Sequence, residues 1–424
     1  MTVTLKDPVY AHTVAAPSSK SAAHRALITA AFADRETTLL LRTSCEDIDA
    51  TARCLVALGA NVLPIEGGLK ITPVAPGQVK KNAILDCGES GSTLRFLLPV
   101  CGAIGADATF LRRGRLPERP LEPLATTLRE HGMTLTESGA ELITCGQIGA
   151  GDYAIAANVS SQYISGLLFA LSLIDAPSTL ALTGKVESAP YIDMTVDALS
   201  RFGAPPQQKP DGTYRLAGRK AAPLTSPGTL TVEGDFSGAA FPLAMGAIGP
   251  HPVTVTGLSL PSKQGDSEIL ALLARFGARV EASGDSVTVT PAPLRGLEID
   301  ARQIPALVPI LAVVATAAAG TTRITGAERL RLKESDRIAS TTAFLRTVGG
   351  DIAETPDGLV IRGGAKLCGG IVDVCGDHRI AMSAAAAALL TDETVVIPGA
   401  ECVQKSYPTF FEEVILSSQE RSNK

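Results

Sequence analysis

The chain has 424 residues, of which 45% are hydrophobic, 19% charged and 4% aromatic, with 40 Gly, 27 Pro and no Trp. That length carries two or three globular domains with real cores. With 38 Lys and Arg against 43 Asp and Glu the net charge is -5, so no broad basic face serves nucleic acid or an anionic membrane, and any anion site must be a local cluster of cations.

The first twenty residues, with Lys6, Asp7, Pro8 and His12, hold no continuous apolar stretch of the kind a secretory signal requires. From Ser19 onward one grammar repeats six times at a spacing of roughly 70 residues. Each unit reads as a polar turn, an Ala- and Leu-rich helix, a short β stretch and, in most units, a second helix. The first helices are expected to begin at Ser19-Lys20-Ser21, Glu89-Ser90-Gly91-Ser92, Val159-Ser160-Ser161-Gln162, Asp235-Phe236-Ser237-Gly238, Gln303-Ile304-Pro305 and Gly376-Asp377-His378-Arg379. Strands are expected at 38–41, 108–111, 179–182, 253–255, 322–325 and 394–397, and further β runs at 287–289 and 359–361. Second helices close on Leu58-Gly59-Ala60, Phe202-Gly203-Ala204, Phe276-Gly277-Ala278 and Val348-Gly349-Gly350, where Gly relieves the left-handed cap. The uncharged run 304–322 reads as a buried helix rather than a membrane span, being rich in Ala and Gly and holding Pro305 and Pro309.

Repeated β/α units whose layers cannot bury an apolar face alone imply an α/β protein of two similar domains with three units each. Pro223 and Pro227 suggest the crossing between them, giving domains of 15–224 and of 1–14 with 225–424, the short N-terminal strand joining the second. Helix starts carry free N–H groups and the positive end of the dipole, so six of them lining an interdomain cleft would suit anionic ligands. Ordinary capping by Ser and Asp explains such turns equally well until the cations are counted. Lys20 and Arg25 flank Ser21, Arg95 follows Gly91 and Ser92, and Arg379 follows Asp377. Two further basic segments are 112–120, with Arg112, Arg113, Arg115 and Arg119, and 329–337, where Lys333 and Arg337 stand at i,i+4 beside Glu334.

Other chemistries lack their residues. No Gly-rich loop ends in Gly-Lys-Ser or Gly-Lys-Thr, no Gly-x-Gly-x-x-Gly opens a helix, and the five His form no zinc-binding helix pattern. The eight Cys form no CxxC pair, so they are expected to be reduced, mostly buried thiols in a cytoplasmic protein.

The order and spacing of Pro17-Ser18-Ser19-Lys20-Ser21 with Arg25, Gly88-Glu89-Ser90-Gly91-Ser92 with Arg95, Ser160-Ser161-Gln162, Leu332-Lys333-Glu334-Ser335-Asp336-Arg337, Gly376-Asp377-His378-Arg379 and Lys405 resemble the 5-enolpyruvylshikimate-3-phosphate synthase family over almost the whole chain. The resemblance implies a two-domain enolpyruvyl transferase fold, six βαβαββ units in an inverted α/β prism-like arrangement. It implies transfer of the enolpyruvyl group of phosphoenolpyruvate to the 5-hydroxyl of shikimate 3-phosphate, with no metal or organic cofactor. A cytoplasmic monomer is expected, with small-molecule partners only. By the same resemblance Lys20, Ser21, Arg25, Ser160, Ser161, Gln162, Ser188, Tyr191, Arg329 and Lys333 would bind shikimate 3-phosphate. Lys20, Gly91, Ser92, Arg119, Gln162, Arg337, Arg379 and Lys405 would bind phosphoenolpyruvate, where glyphosate would compete. Lys20, Lys333 and Glu334 would be the catalytic groups.

Three residues depart from the family pattern. Ala306 stands where the family has an Asp that would contact the ring hydroxyls and deprotonate the 5-hydroxyl, Glu89 stands where Asn is usual, and Phe96 where Pro is common. Ala306 keeps open a catalytically impaired or non-catalytic anion-binding homologue. The related transferase acting on UDP-N-acetylglucosamine fits less well, since its catalytic-loop cysteine has no counterpart in 112–119.

Overall fold

The structure, a computed structural model, describes residues 1–75 and 77–416. All six first helices form, and five second helices accompany them. The first unit holds α1 (Lys20–Ala31) and α2 (Glu46–Leu58), the second α3 (Gly91–Ile104) and α4 (Leu124–Glu130), and the third α5 (Ser161–Leu173) and α6 (Ala189–Arg201). The fourth holds α7 (Phe236–Ile248) and α8 (Ile269–Phe276), the fifth α9 (Val308–Ala317) and α10 (Arg337–Thr347), and the sixth α11 (His378–Ala387). The first helices are mostly apolar or small and are largely buried: in α5 all residues but Gln162 are buried, and in α11 all are. The second helices are one-sided; α2 buries Ile48, Leu55 and Leu58 and turns Glu46 and Arg53 to solvent. Gly59, at φ 116°, closes α2 with its N–H on the Leu55 and Val56 carbonyls. In the run 304–322 only Val308–Ala317 is α-helix, because Pro305 opens a preceding 3-10 turn and Thr321–Thr325 leaves as a strand.

Five four-stranded sheets share one strand order. In the second unit Ala83–Asp86 runs parallel to Ala108–Leu111, which pairs antiparallel with Glu141–Gly146, and Met133–Ser138 forms the edge. The parallel pair needs a crossover, and α3 supplies it. Two leading strands come from distant sequence: Thr13–Ala15 pairs with Val253–Thr256, and Thr229–Thr231 pairs with Thr37–Leu40. In the sixth unit Val395–Pro398 lies between Gly370–Ile371 and the N-terminal strand Thr2–Leu5.

The pairings define two compact bodies, residues 20–232 and residues 1–19 with the described residues from 233 onward. The crossing therefore follows the strand Thr229–Thr231 instead of falling at Pro223 and Pro227, and residues 15–19 and 225–232 belong to other bodies than the proline positions suggested. Each body has its own apolar core. Of the eight cysteines only Cys45, Cys54, Cys87 and Cys101 are buried, and Cys145 and Cys375 are exposed, so the expectation of mostly buried thiols holds for half of them. Among the described residues no helix is long and apolar enough to cross a membrane, and no group of three His, Cys, Asp or Glu could hold a metal ion.

Candidate functional site

In the body of residues 20–232 the starts of α1, α3 and α5 gather the polar groups. Lys20 opens α1, and its Nζ pairs at 2.9 Å with Asp47 Oδ2 in the first turn of α2, with both side chains mostly buried. Sequence reading missed Asp47, since an acidic first turn is ordinary helix-dipole chemistry. One turn into α1, Arg25 is only 2% exposed. It donates to the Ser21 carbonyl at 2.6 Å, the Thr195 hydroxyl at 2.8 Å and the Tyr191 carbonyl at 2.7 Å, and its guanidinium lies 5.1 Å from the Phe96 ring centroid. Burial pulls its pKa down to about 10, so it remains a cation at neutral pH. Phe96 thus replaces the family's proline by a buried ring under a cation, with α3 continuous through it.

Beside Arg25, His24 is fully buried, and its Nδ1 shares a 2.7 Å hydrogen bond with the Thr51 hydroxyl, which in turn meets Thr93 at 2.7 Å. Desolvation holds its pKa down to about 3, leaving a neutral imidazole beneath Lys20.

At α3, Ser90 caps the helix through the Thr93 N–H, and Gly91 is the first helical residue. A Cβ at Gly91 would stand 2.6 Å from Arg95 Nη1 and 2.8 Å from Arg119 Nη1. Two guanidinium groups therefore close over a helix N-terminus that has no side chain of its own, an arrangement suited to a carboxylate or phosphate. Gln162 binds the set together: Arg95 Nη1 donates to its Oε1 at 2.9 Å, and its Nε2 donates to Ser92 Oγ at 2.9 Å. The motif that holds Arg95 gives it no role by itself; its convergence with Arg119, 24 positions further along the chain, is a tertiary fact.

The basic segment 112–120 does not act as one cluster. Arg112 is buried and donates to the carbonyls of Gly139, Ala140 and Glu141; Arg113 pairs with Asp86 and Arg115 with Glu118 on the surface, and Arg119 is the one that meets Arg95 over Gly91. Glu89 is exposed and lies over Gly114, away from Gly91.

Ser160 caps α5 by accepting from the Gln162 N–H, Ser161 is buried beside it, and Ser188 holds a left-handed conformation (φ 54°) at the start of α6. Strain at a residue with a Cβ is stored where the surrounding chain dictates it. Tyr191 follows within the first turn of α6, half-buried.

The other body carries a second cationic set. Arg337 is gripped by Asp377, with Nε to Oδ2 at 2.7 Å and Nη2 to Oδ1 at 3.1 Å, and pairs with Glu334 at 2.9 Å. Asp377 also caps α11 through the Arg379 N–H at 3.0 Å and accepts from Ser335 at 3.0 Å. Arg379 Nη1 donates to the Ala306 carbonyl at 3.2 Å, which brings that cation to the turn where the family's carboxylate is missing. Lys333 and Arg337 do not share a helix face, because Lys333 ends a 3-10 turn and α10 begins only at Arg337. Asp336 caps α10 and pairs with Arg331, so it belongs to that helix start and not to a Lys333 pair. Arg329 donates to the Arg302 carbonyl at 3.0 Å, and Lys405 is buried at the end of the 3-10 turn Ala400–Lys405.

The family model described as EPSP synthase (3-phosphoshikimate 1-carboxyvinyltransferase) matches residues 7–414. Among curated relatives, the 3-phosphoshikimate 1-carboxyvinyltransferase of Clostridium kluyveri is 40% identical over 94% of this chain and 92% of its own. That of Methanocorpusculum labreanum is 38% identical over 95% and 94%. Among solved structures, the EPSP synthase of Acinetobacter baumannii superposes with a TM-score of 0.78 at 28% identity, covering 97% of each chain. The enolpyruvyl transferase NikO of Streptomyces tendae shares the fold, with a TM-score of 0.77 at 18% identity over 97% of this chain and 96% of its own.

Proposed function

The chain belongs to the EPSP synthase family and carries out its reaction, enolpyruvyl transfer from phosphoenolpyruvate to the 5-hydroxyl of shikimate 3-phosphate with release of phosphate, and we propose how its residues divide that work. This is a step of the shikimate pathway to chorismate and the aromatic amino acids. The observation that carries the division is the pair of guanidinium groups, Arg95 and Arg119, over the bare Gly91 helix start.

Phosphoenolpyruvate, a small molecule bearing a carboxylate and a phosphate, is the ligand we assign to Gly91, Arg119, Ser92, Gln162 and Lys20 of the first body, and to Arg337, Arg379 and Lys405 of the second by the family resemblance. Shikimate 3-phosphate takes Ser160, Ser161 and Ser188 for its phosphate, Ser21 and Arg25 for its carboxylate end, and Tyr191, Arg329, Lys333, Lys20 and Gln162 around the ring. In the addition step the 5-hydroxyl gives up its proton as its oxygen bonds to C2 of phosphoenolpyruvate, and the C2=C3 double bond opens to take a proton at C3. In the elimination step C3 gives up a proton, the C2=C3 bond re-forms and the C2–O bond to phosphate breaks. Lys20, Lys333 and Glu334 are the groups that move these protons, and the arginines stabilise the departing phosphate. Asp377 and Glu334 fix the Arg337 guanidinium before substrate arrives, so less ordering is left for the transition state. Glyphosate, with its phosphonate and carboxylate, competes for the same charges. We place the protein in the cytoplasm as a monomer.

The test is a phosphate-release assay on purified protein with shikimate 3-phosphate as acceptor and UDP-N-acetylglucosamine as control, with detection of the enolpyruvyl product. Release with the first acceptor alone is expected. Tight binding of shikimate 3-phosphate without release would instead favour the non-catalytic homologue, for which Ala306 is the specific motive.

A further inference from the structure

We propose that Tyr163 is a positioning residue that fixes the spacing of the Arg95 and Arg119 guanidinium groups and so sets the affinity for phosphoenolpyruvate. The inference rests on the assignment of that pair to phosphoenolpyruvate. Tyr163 follows Gln162 on α5 and is 1% exposed. Its hydroxyl donates to the carbonyl of Pro120, and Arg95 Nη2 donates to the same carbonyl at 3.2 Å. A carbonyl oxygen has two lone pairs, and both are thereby taken.

Pro120 directly follows Arg119 and has no N–H, so its carbonyl is the single backbone group by which residue 120 can be tied to its surroundings. The Tyr163 ring also lies under Arg95, with the guanidinium carbon 5.7 Å from the ring centroid. One side chain therefore touches Arg95 directly, through its ring, and holds the carbonyl of the residue that follows Arg119. Gln162 holds the opposite edge of Arg95 at 2.9 Å, so α5 grips that guanidinium with two successive residues. Burial raises the Tyr163 pKa above its ordinary value, which keeps the phenol protonated and donating at neutral pH. A phenylalanine would fill the same volume without a hydroxyl to satisfy; the buried O–H acts on the clamp rather than on packing.

The test compares Tyr163→Phe with the wild type in the full chain. Two quantities are measured for phosphoenolpyruvate: its KM, and the Kd of the unreactive probe glyphosate in saturating shikimate 3-phosphate by calorimetry. The control is the direct Kd of shikimate 3-phosphate. Loss of one hydrogen bond to the clamp is expected to raise the first two about five- to tenfold. The shikimate 3-phosphate Kd and kcat should stay within about twofold, the split that marks lost ground-state binding. Tyr163→Leu, which removes the ring as well, should lose more affinity than Tyr163→Phe. Unchanged phosphoenolpyruvate KM and glyphosate Kd in Tyr163→Phe would overturn the proposal, as would a parallel loss of both substrates with a lowered Tm, the mark of a purely structural role. A wild type that binds neither phosphoenolpyruvate nor glyphosate would instead bring down the underlying site assignment.

Discussion

At Ala306 a methyl group occupies the turn that leads into α9, 8% exposed, with its carbonyl held by Arg379. A carboxylate introduced there has a cation in the adjacent structure, so Ala306→Asp is expected to fold. If the missing carboxylate limits proton transfer, kcat should rise by roughly 10²-fold or more, with little change in the directly measured Kd of shikimate 3-phosphate. A folded, substrate-binding variant with unchanged kcat would mean that another group already does this work. His24 yields a stability prediction of opposite character. Its folded pKa, about 3, lies below the 6.5 of the free side chain, so between these values the unfolded chain binds a proton that the folded chain refuses. Stability must then fall as pH drops below 6.5, by at most about 1.4 kcal/mol per unit, and the loss levels off below about 3. Urea denaturation of wild type and His24→Gln at pH 7, 6 and 5 checks the sign: the wild type's advantage should shrink on acidification, and a constant difference would refute it.

Helices α3 and α5 meet at a point where α5 has no room for a residue larger than glycine. Pro99 lies inside α3 and offers no N–H to the Arg95 carbonyl one turn earlier, and Gly166 of α5 passes so close to that carbonyl that a Cβ would collide with it and with the Pro99 ring. The close approach holds the Arg95 backbone against the helix that carries Gln162 and Tyr163. Gly166→Ala should therefore cost about 1–3 kcal/mol through overpacking, read as a lowered urea midpoint, and should raise the KM for phosphoenolpyruvate more than that for shikimate 3-phosphate. An unshifted midpoint would show that the two helices can separate without loss. The repeat pattern located both helices, but a glycine inside an apolar helix has no periodic signal that distinguishes contact from composition.

Across the whole molecule, chain connectivity and folding unit do not coincide. Residues 20–232 form a continuous segment containing every strand of its three sheets and a complete core. Residues from 233 onward lack Thr2–Leu5 and Thr13–Ala15, which supply strands to two of their sheets, and lack Leu5, Tyr10 and Val14 from their core. Segment 20–232 expressed alone should unfold cooperatively by circular dichroism, whereas 233–424 alone should not, until a peptide of residues 1–19 is added. Equal cooperativity of both segments would refute this. What the sequence by itself determined was local or periodic: six units, the helix starts, the glycine ends of the second helices and the cations beside the polar turns, because capping, turn chemistry and hydrophobic period act within a few residues. Tertiary structure alone decided the register of strands distant in sequence, Thr13–Ala15 on Val253–Thr256 and Thr229–Thr231 on Thr37–Leu40, since edge pairing depends on what lies alongside in space. It also decided which cations turn inward. Arg112, Arg113 and Arg119 look alike in sequence, yet three carbonyls take the first, a surface carboxylate the second, and only the third meets Arg95 over Gly91, because a guanidinium's partners are fixed by backbone brought near through packing and not by the residues beside it in the chain.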